Sequence, residues 1–139
     1  MYTPSFRLRS FDTITESKKF GVLQFLLEAL TMANVAYLLD NPSAPELYAS
    51  GVRYQQEPDG RDEWQDIPDT LARRSGDCED LACWRVAELR VRHGEPNATR
   101  SISVSTLLDA RGQPVTMYHI TVLRQNGAQE DPSRKLGMR

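Results

Sequence analysis

The residues best suited to covalent chemistry surround Cys78, in the run Gly76-Asp77-Cys78-Glu79-Asp80-Leu81-Ala82. Apolar residues then recur near a period of 3.6 until Gly94, which predicts a helix that begins at the cysteine. The unpaired N–H groups and the dipole at a helix N-terminus favour an anion, and this setting can lower the pKa of a thiol. Cys78 is therefore a candidate nucleophile that still needs a base.

The acidic neighbours of Cys78 oppose that effect, because Asp77 and Glu79 raise the pKa of a nearby thiol. A thiolate at this position would therefore depend strongly on a protonated histidine. Asp77, Glu79 and Asp80 are also candidate ligands for a hard cation such as Ca²⁺, although three carboxylates on one turn lack the usual ligand spacing. Their alternative role is to complement the dipole in the first helical turn. A zinc site is not expected, because the sequence has no cysteine–histidine cluster.

Of the two histidines, only His119 is placed to serve the cysteine. His93 lies at the far end of the Cys78 helix, roughly 22 Å along the axis, where it complements the helix C-terminus. His119 lies in a predicted strand, on the face opposite Tyr118 and Ile120. A lone histidine in a strand is usually structural, so its role depends on a partner that fixes its tautomer.

Asp131, on the next predicted strand, is that candidate partner. A two-residue Asn126-Gly127 loop would pair Val122 with Asp131 and place the carboxylate on the face away from His119. A three-residue loop from Gln125 to Gly127 pairs Thr121 with Asp131 instead, so that Asp131 and His119 become diagonal neighbours on one face. A His119–Asp131 pair therefore requires an odd loop or a bulge, for which Gly127 can supply the residue with positive φ.

An acyl-transfer site also needs donors directed at a developing oxyanion. The backbone N–H of Cys78 is the first candidate. The second is the indole N–H of Trp64 or the side-chain amide of Gln55 or Gln56. The alternative for Trp64 is a partly buried core aromatic.

The predicted elements run from helices to an antiparallel sheet, the order typical of an α+β fold. Thr13 and Glu16 have capping-box spacing, which predicts a long helix that ends near Asp40. Its apolar residues cover more than one face, as in a core helix or one that contacts a second chain, so residues 17–40 are a possible homo-oligomer contact. Other expected elements are an edge strand or arm at Ser5–Phe11, an extended piece at Gly51–Gln56, a short helix at Asp66–Leu71 capped by Asp66, and strands at Arg100–Leu108, Val115–Arg124 and Ala128–Asp131.

Length and composition indicate one soluble domain over residues 1–139. The net charge of -2 comes from 17 basic and 19 acidic residues that are well mixed, which excludes a basic nucleic-acid surface. The N-terminus shows no secretory signal, and polar residues interrupt the apolar stretch Phe20–Leu39, which argues against a membrane span. Cys78 and Cys83 fall on different helix faces, so we expect no disulfide and a reducing, cytoplasmic location.

Three segments together resemble the transglutaminase-like superfamily: Gly76 to Ala82, Tyr118-His119-Ile120-Thr121-Val122, and Glu130-Asp131-Pro132-Ser133. The resemblance covers about Trp64 to Ser133 and implies a papain-like fold with a Cys-His-Asp triad. Cys78 then looks like the nucleophile, His119 like the general base and acid, and Asp131 like its orienting partner. Among members, the chain looks most like bacterial transglutaminase-like cysteine peptidases, some of which bind calcium beside the cysteine, here at Asp77 and Glu79. Compact domains of this kind also resemble proteins of phage and prophage gene sets.

The function expected from the triad is thiol-dependent acyl transfer on a protein or peptide substrate through a thioester. The resemblance favours a cysteine peptidase or amidase. A protein-glutamine transglutaminase and a deamidase are alternatives, since an amine or water can resolve the same intermediate. The alternative from another class is a non-catalytic binding or assembly module that retains the fold.

Overall fold

A computed structural model describes residues 16–57 and 63–139 of the chain and shows a mixed α+β fold. The predictions for Ser5–Phe11 and for the Thr13 cap lie outside these residues. The described elements are α1 (Glu16–Asp40), a 3₁₀ turn (Leu47–Ala49), β1 (Arg53–Tyr54), α2 (Ile67–Arg73), β2 (Ser75–Gly76), α3 (Cys78–Arg92), β3 (Thr99–Leu108), β4 (Pro114–Leu123), β5 (Gln129–Glu130) and α4 (Pro132–Lys135).

Helix α3 is the central element, with a side chain buried at nearly every position from Cys78 to Leu89. It packs against α1 on one side and against β4 on another. Two apolar clusters meet along it: one joins α1, α3 and β4, and the other joins the end of α1 with α2, α3 and the C-terminal turn. This arrangement agrees with the prediction of helices packed on a small antiparallel sheet.

Helix α1 uses one stripe of side chains, Leu23, Leu27, Thr31, Asn34 and Leu38, to reach the core. Asn34 Oδ1 accepts the backbone N–H of Ile67 at 2.9 Å, which fixes the start of α2. Residues Lys18–Asp40 form a helix that is long and apolar enough to cross a membrane by length and composition. The polar residues that interrupt it therefore do not by themselves argue against a membrane span. The buried stripe and the Asn34 contact attach one face of α1 to the core of the domain.

Helix α2 begins as predicted, because the Asp66 side chain accepts the backbone N–H of Asp69 and a proline occupies the first turn. The extended piece before it is the short strand β1, which pairs with β2 in parallel. The sequence analysis did not predict this parallel pair. The pair brings the segment after Arg53 alongside the turn that leads to Cys78.

The main sheet has the strand order β3-β4-β5, and both strand pairs are antiparallel. Its inner half is buried against α3 through Ile120 and Val122, whereas residues 103–117 are exposed. The inner half carries His119, and β5 leads directly to Asp131. The sheet thus carries His119 and leads directly into Asp131, two of the three residues predicted to do chemistry.

Candidate active site

Cys78 is the first residue of α3, at the turn where β2 becomes a helix. Asp77 is the N-cap, and it forms a capping box with Asp80, whose side chain accepts the Asp77 backbone N–H at 3.0 Å. Gly76 leaves room for this turn, since a Cβ there would lie 3.1 Å from the Asp80 Cβ and 3.2 Å from side-chain carbons of Leu81 and Thr70. The glycine before the cysteine is therefore a packing requirement of the turn.

The Cys78 thiol is buried and protonated in this conformation. It is 8% exposed, and its Sγ donates to Glu79 Oε2 over 3.3 Å. Burial, and then the charge of Glu79, raises the pKa of the thiol far above its ordinary value, while the Ile120 backbone N–H acts in the opposite direction. The expectation that the helix dipole lowers the pKa of Cys78 is wrong for this conformation, because desolvation outweighs the dipole.

Glu79 is itself buried, at 6% exposure, and its Oε1 has no hydrogen-bond partner among residues 16–57 and 63–139. Burial first, and then the charges of Asp80 and Asp77, raise the pKa of Glu79 well above its usual range. The neutral form of this carboxyl thus persists to a higher pH than usual, and the Cys78–Glu79 pair occupies the start of α3.

His119 and Asp131 are in direct contact, because the imidazole Nε2 lies 2.8 Å from Asp131 Oδ2. Val122 pairs with Glu130 in the sheet, and Arg124 N–H donates to Ala128 O at 2.8 Å across the loop. The connection is thus the three-residue loop from Gln125 to Gly127, in which Gly127 has a φ of +89°. The odd-loop prediction is confirmed, and it brings Asp131 to the face of His119.

This contact determines which imidazole nitrogen is available to another partner. In the tautomer that donates its Nε2–H to the Asp131 carboxylate, the ring carries its lone pair on Nδ1. Asp131 is fixed by its role as the N-cap of α4, where Oδ1 accepts the Arg134 backbone N–H at 3.3 Å. The pair is half-buried, with side-chain exposures of 29% for His119 and 22% for Asp131.

Cys78 lies next to this strand but is not bonded to the histidine. Cys78 and Ile120 belong to one apolar cluster, against which Trp64 also packs, and His119 precedes Ile120. Within the two described ranges, no hydrogen bond joins the thiol to the imidazole. The fold therefore packs Cys78 against β4 at Ile120, the residue after His119, while the thiol is hydrogen-bonded to Glu79.

The first oxyanion candidate is engaged in this conformation, since the Cys78 backbone N–H donates to Asp77 Oδ1 at 2.7 Å. Gln55 lies beside the same turn: its backbone N–H donates to Gly76 O at 2.9 Å, and its side chain is exposed. The Gln56 side chain is also exposed, and Trp64 is half-buried. Gln55 and Trp64 thus flank the Cys78 turn, but their role as donors stays a prediction.

Two residues that no sequence pattern indicated, Gln65 and Tyr54, also support the turn at Cys78. Buried Gln65 donates its backbone N–H to Asp80 at 2.7 Å, and its Nε2 donates to Asp80 at 3.0 Å and to Ser75 O at 3.2 Å. Tyr54 lies near Asp77, and burial raises the pKa of Tyr54 to about 12 with help from that carboxylate. No local pattern marks either residue, because β1 and the segment before α2 reach the turn only through tertiary packing.

A metal ion would find few free ligands here. Side-chain ligand atoms of Asp77, Cys78 and Glu79 lie within 4.8 Å of one another. Asp77, however, already accepts the N–H groups of Cys78 and Glu57, and Ca²⁺ requires six or more oxygens. Ion binding would also require the buried thiol or Glu79 to lose its proton. These residues do not fit a calcium ion as they are arranged.

Comparison of the chain with protein-family models, with curated proteins and with solved structures returns no match in any of the three.

Proposed function

We propose that this chain is a thiol-dependent acyl-transfer enzyme in which Cys78, His119 and Asp131 act together, on a core of the papain-like, transglutaminase-like type. The observation that carries the proposal is the 2.8 Å contact between His119 and Asp131, on the strand that packs against Cys78. Nucleophilic catalysis by a cysteine requires a histidine that is oriented by a carboxylate, and His119 and Asp131 supply that pair on the strand and turn beside the Cys78 helix.

The reaction begins when the Cys78 side chain leaves Glu79 and turns towards Nδ1 of His119, the ring nitrogen that does not contact Asp131. Nδ1 takes the thiol proton while Sγ forms a bond to the substrate carbonyl carbon, and the carbonyl electrons move to its oxygen. The imidazolium then returns that proton to the leaving nitrogen as the C–N bond breaks, which leaves a thioester on Cys78. Asp131 orients the ring and stabilises its positive charge throughout.

Water resolves the thioester in the reaction we favour, which makes the protein a cysteine peptidase or amidase. His119 takes a proton from the attacking water and returns it to the sulfur as the S–C bond breaks. With a glutamine side chain as substrate, the same steps release ammonia and constitute deamidation. A lysine amine in place of water would give a transglutaminase product. No cofactor is part of the proposed chemistry.

The second candidate function is a non-catalytic binding or assembly module, and the state of Cys78 favours it. A buried thiol that donates to Glu79 is a stable packing arrangement, and it holds the sulfur as a weak nucleophile. Under this alternative the His119–Asp131 contact stabilises the hairpin and the start of α4 only.

The test is mass spectrometry of candidate proteins and peptides incubated with wild type and with Cys78→Ala. We expect a substrate change that the variant loses: cleavage names a peptidase, a gain of about one dalton names a deamidase, and an amine adduct names a transglutaminase. Cys83→Ala is the matched control, since it removes the other cysteine of α3 and should retain the reaction. Equal substrate changes with wild type and Cys78→Ala would refute the proposal.

A second experiment measures whether the reaction depends on calcium. We expect EDTA and added Ca²⁺ to leave the rate unchanged, because the Asp77 and Glu79 carboxylates are committed to protein partners. Loss of activity in EDTA that Ca²⁺ restores would contradict that expectation and would assign the ion to these residues.

A further inference from the structure

Helix α1 carries a second apolar stripe that the domain does not use. Opposite the buried stripe, apolar residues follow one another at alternating spacings of three and four, the heptad spacing of a helix–helix contact. Three large members are strongly exposed: Phe25 by 73%, Met32 by 50% and Leu39 by 64%. We call this stripe the outer seam; its members are Val22, Phe25, Ala29, Met32, Ala36 and Leu39.

Most of the outer seam faces away from the part of the domain that the structure describes. Core contacts of α1 use the opposite face, where Asn34 bonds to Ile67. Glu28 lies at the edge of the seam, where it forms ion pairs of 2.6 Å with Arg90 and Arg100, and Arg90 also contacts Met32 Sδ at 3.7 Å. The seam extends about 26 Å from Val22 to Leu39, and it contains no charged residue. An exposed apolar surface of this length on a folded domain marks an interaction site.

We propose that the outer seam binds the outer seam of a second copy of this chain, with the two α1 helices antiparallel. An antiparallel pair places Val22 opposite the partner subunit's Leu39, Ala29 opposite the partner subunit's Met32, and Ala36 opposite the partner subunit's Phe25. Every layer then joins one smaller and one larger side chain, so the layers have similar volumes and the helices lie at an even distance.

The same arrangement is electrostatically complementary. Lys18 and Asp40 are exposed at the two ends of α1. Antiparallel pairing brings Lys18 within about a turn of the partner subunit's Asp40 at both ends, and it sets the helix dipoles head to tail. Parallel pairing would place like charges together and would oppose large to large and alanine to alanine. The order of sizes and charges along the seam thus selects one orientation.

The apolar area of the outer seam is sufficient for a weak dimer. Large apolar side chains at these exposures offer on the order of 100 Å² each. Together with the alanines and flanking residues, this gives roughly 600 Å² per copy, somewhat below the approximately 800 Å² per partner of a standard interface. A membrane surface is less suited, because Glu28 and its two arginines lie alongside the helix. We therefore expect a dimer that dissociates at micromolar concentration, whatever reaction the protein performs.

Sedimentation velocity from about 1 to 200 µM tests the dimer. Wild type should change from monomer to dimer over this range, and Met32→Glu should weaken association at least about tenfold, because each copy would bury a carboxylate in the seam. Leu108→Glu is the control: Leu108 is 71% exposed on β3, and its change should leave the dimer within about twofold of wild type. A monomer throughout the range, or equal loss in both variants, would overturn the proposal.

Disulfide mapping tests the orientation. Phe25→Cys mixed with Ala36→Cys should give a cross-linked heterodimer under mild oxidation, while each variant alone should not, because equal positions are about 16 Å apart along an antiparallel pair. Cross-linking of Phe25→Cys with itself would contradict the antiparallel arrangement. A monomer that sediments with phosphatidylcholine vesicles, or one whose Phe25→Cys thiol resists alkylation, would show that the seam is covered by a membrane or by the chain itself.

Discussion

The substitution Glu79→Gln should lower the pKa of the Cys78 thiol and increase its rate of alkylation. In the wild type the thiol donates to Glu79 Oε2 at 3.3 Å, and once the pH exceeds the raised pKa of Glu79, Cys78 must ionise beside a carboxylate. A glutamine has nearly the same shape but carries no titratable charge, and its amide N–H can donate to a thiolate. The substitution thus removes the charge of Glu79, which is the second cause of the raised thiol pKa, and leaves burial in place.

The size of the effect follows from that contact. Two unit charges 3.3 Å apart interact by about 5 kcal/mol at an effective dielectric constant of 20, which is a ceiling for a relaxed site. A hydrogen bond to a charged group is worth about 1.5–3 kcal/mol, so we expect alkylation of Cys78 to accelerate about 10- to 100-fold near pH 8–9. The acceleration should diminish towards pH 5, where Glu79 is neutral in the wild type too.

The assay is iodoacetamide labelling against pH, quantified on the tryptic peptide of residues 75–85, which contains both Cys78 and Cys83. Cys83 is fully buried and donates to Leu27 O, so its labelling reports any general opening of the fold. Glu63→Gln, on an exposed carboxylate, is the matched control. An unchanged or slower rate at Cys78 in a folded Glu79→Gln protein would refute the view that Glu79 holds the thiol protonated.

The same substitution should alter the dependence of stability on pH. Because burial raises the pKa of Glu79, the folded protein retains a proton that the unfolded chain releases above about pH 4.5. The free energy of unfolding then falls as the pH rises from that value towards the raised pKa of the folded state. Urea unfolding should show a shallower decline for Glu79→Gln, and parallel curves would contradict the assignment of a raised pKa to Glu79.

Three other substitutions test separate parts of the account. His119→Ala should lower kcat about 10²- to 10⁴-fold with little change in Tm, whereas His93→Ala, on the exposed contact with Glu46, should not alter activity; equal losses would contradict a specific role for His119. Gly127→Val should cost about 1–2 kcal/mol and impair activity, because its φ is +89° in the loop that sets the His119–Asp131 register; Gly112→Val, at φ +76° in the other hairpin turn, should cost stability alone. Asn34→Ala should lower the free energy of unfolding by about 1–3 kcal/mol in urea titrations, since the Ile67 N–H loses its acceptor; no change would contradict the role of Asn34 in attaching α1 to the core.

Local patterns predicted α2, α3, the strands β3 and β4 and the hairpin register, because these features depend on neighbouring residues. The length of the Gln125–Gly127 loop and the alternation of β4 suffice to place Asp131 on the face of His119. The cap of α2 follows from Asp66 and the proline two residues later. The helix beginning at Cys78 likewise follows from the capping residues and the apolar period.

The raised pKa of the Cys78 thiol could not be predicted from local sequence patterns. The dipole and the acidic neighbours of Cys78 are visible in the sequence, but desolvation is not, since it depends on how α3 packs against β4 and α1. The support given by Gln65 and Tyr54 was missed for the same reason, as both reach the turn from segments with no regular pattern. Burial decided each of these properties, and burial is a property of the assembled fold.

Intact-protein mass spectrometry of the acyl-enzyme tests the central claim most directly. Incubation with an activated acyl ester should add one acyl group to wild type, mapped to Cys78, with no such adduct in Cys78→Ala and a rate at least about 100-fold lower in His119→Ala. A wild-type protein that acquires no adduct at Cys78, or one that His119→Ala acquires at the wild-type rate, would contradict the proposed function.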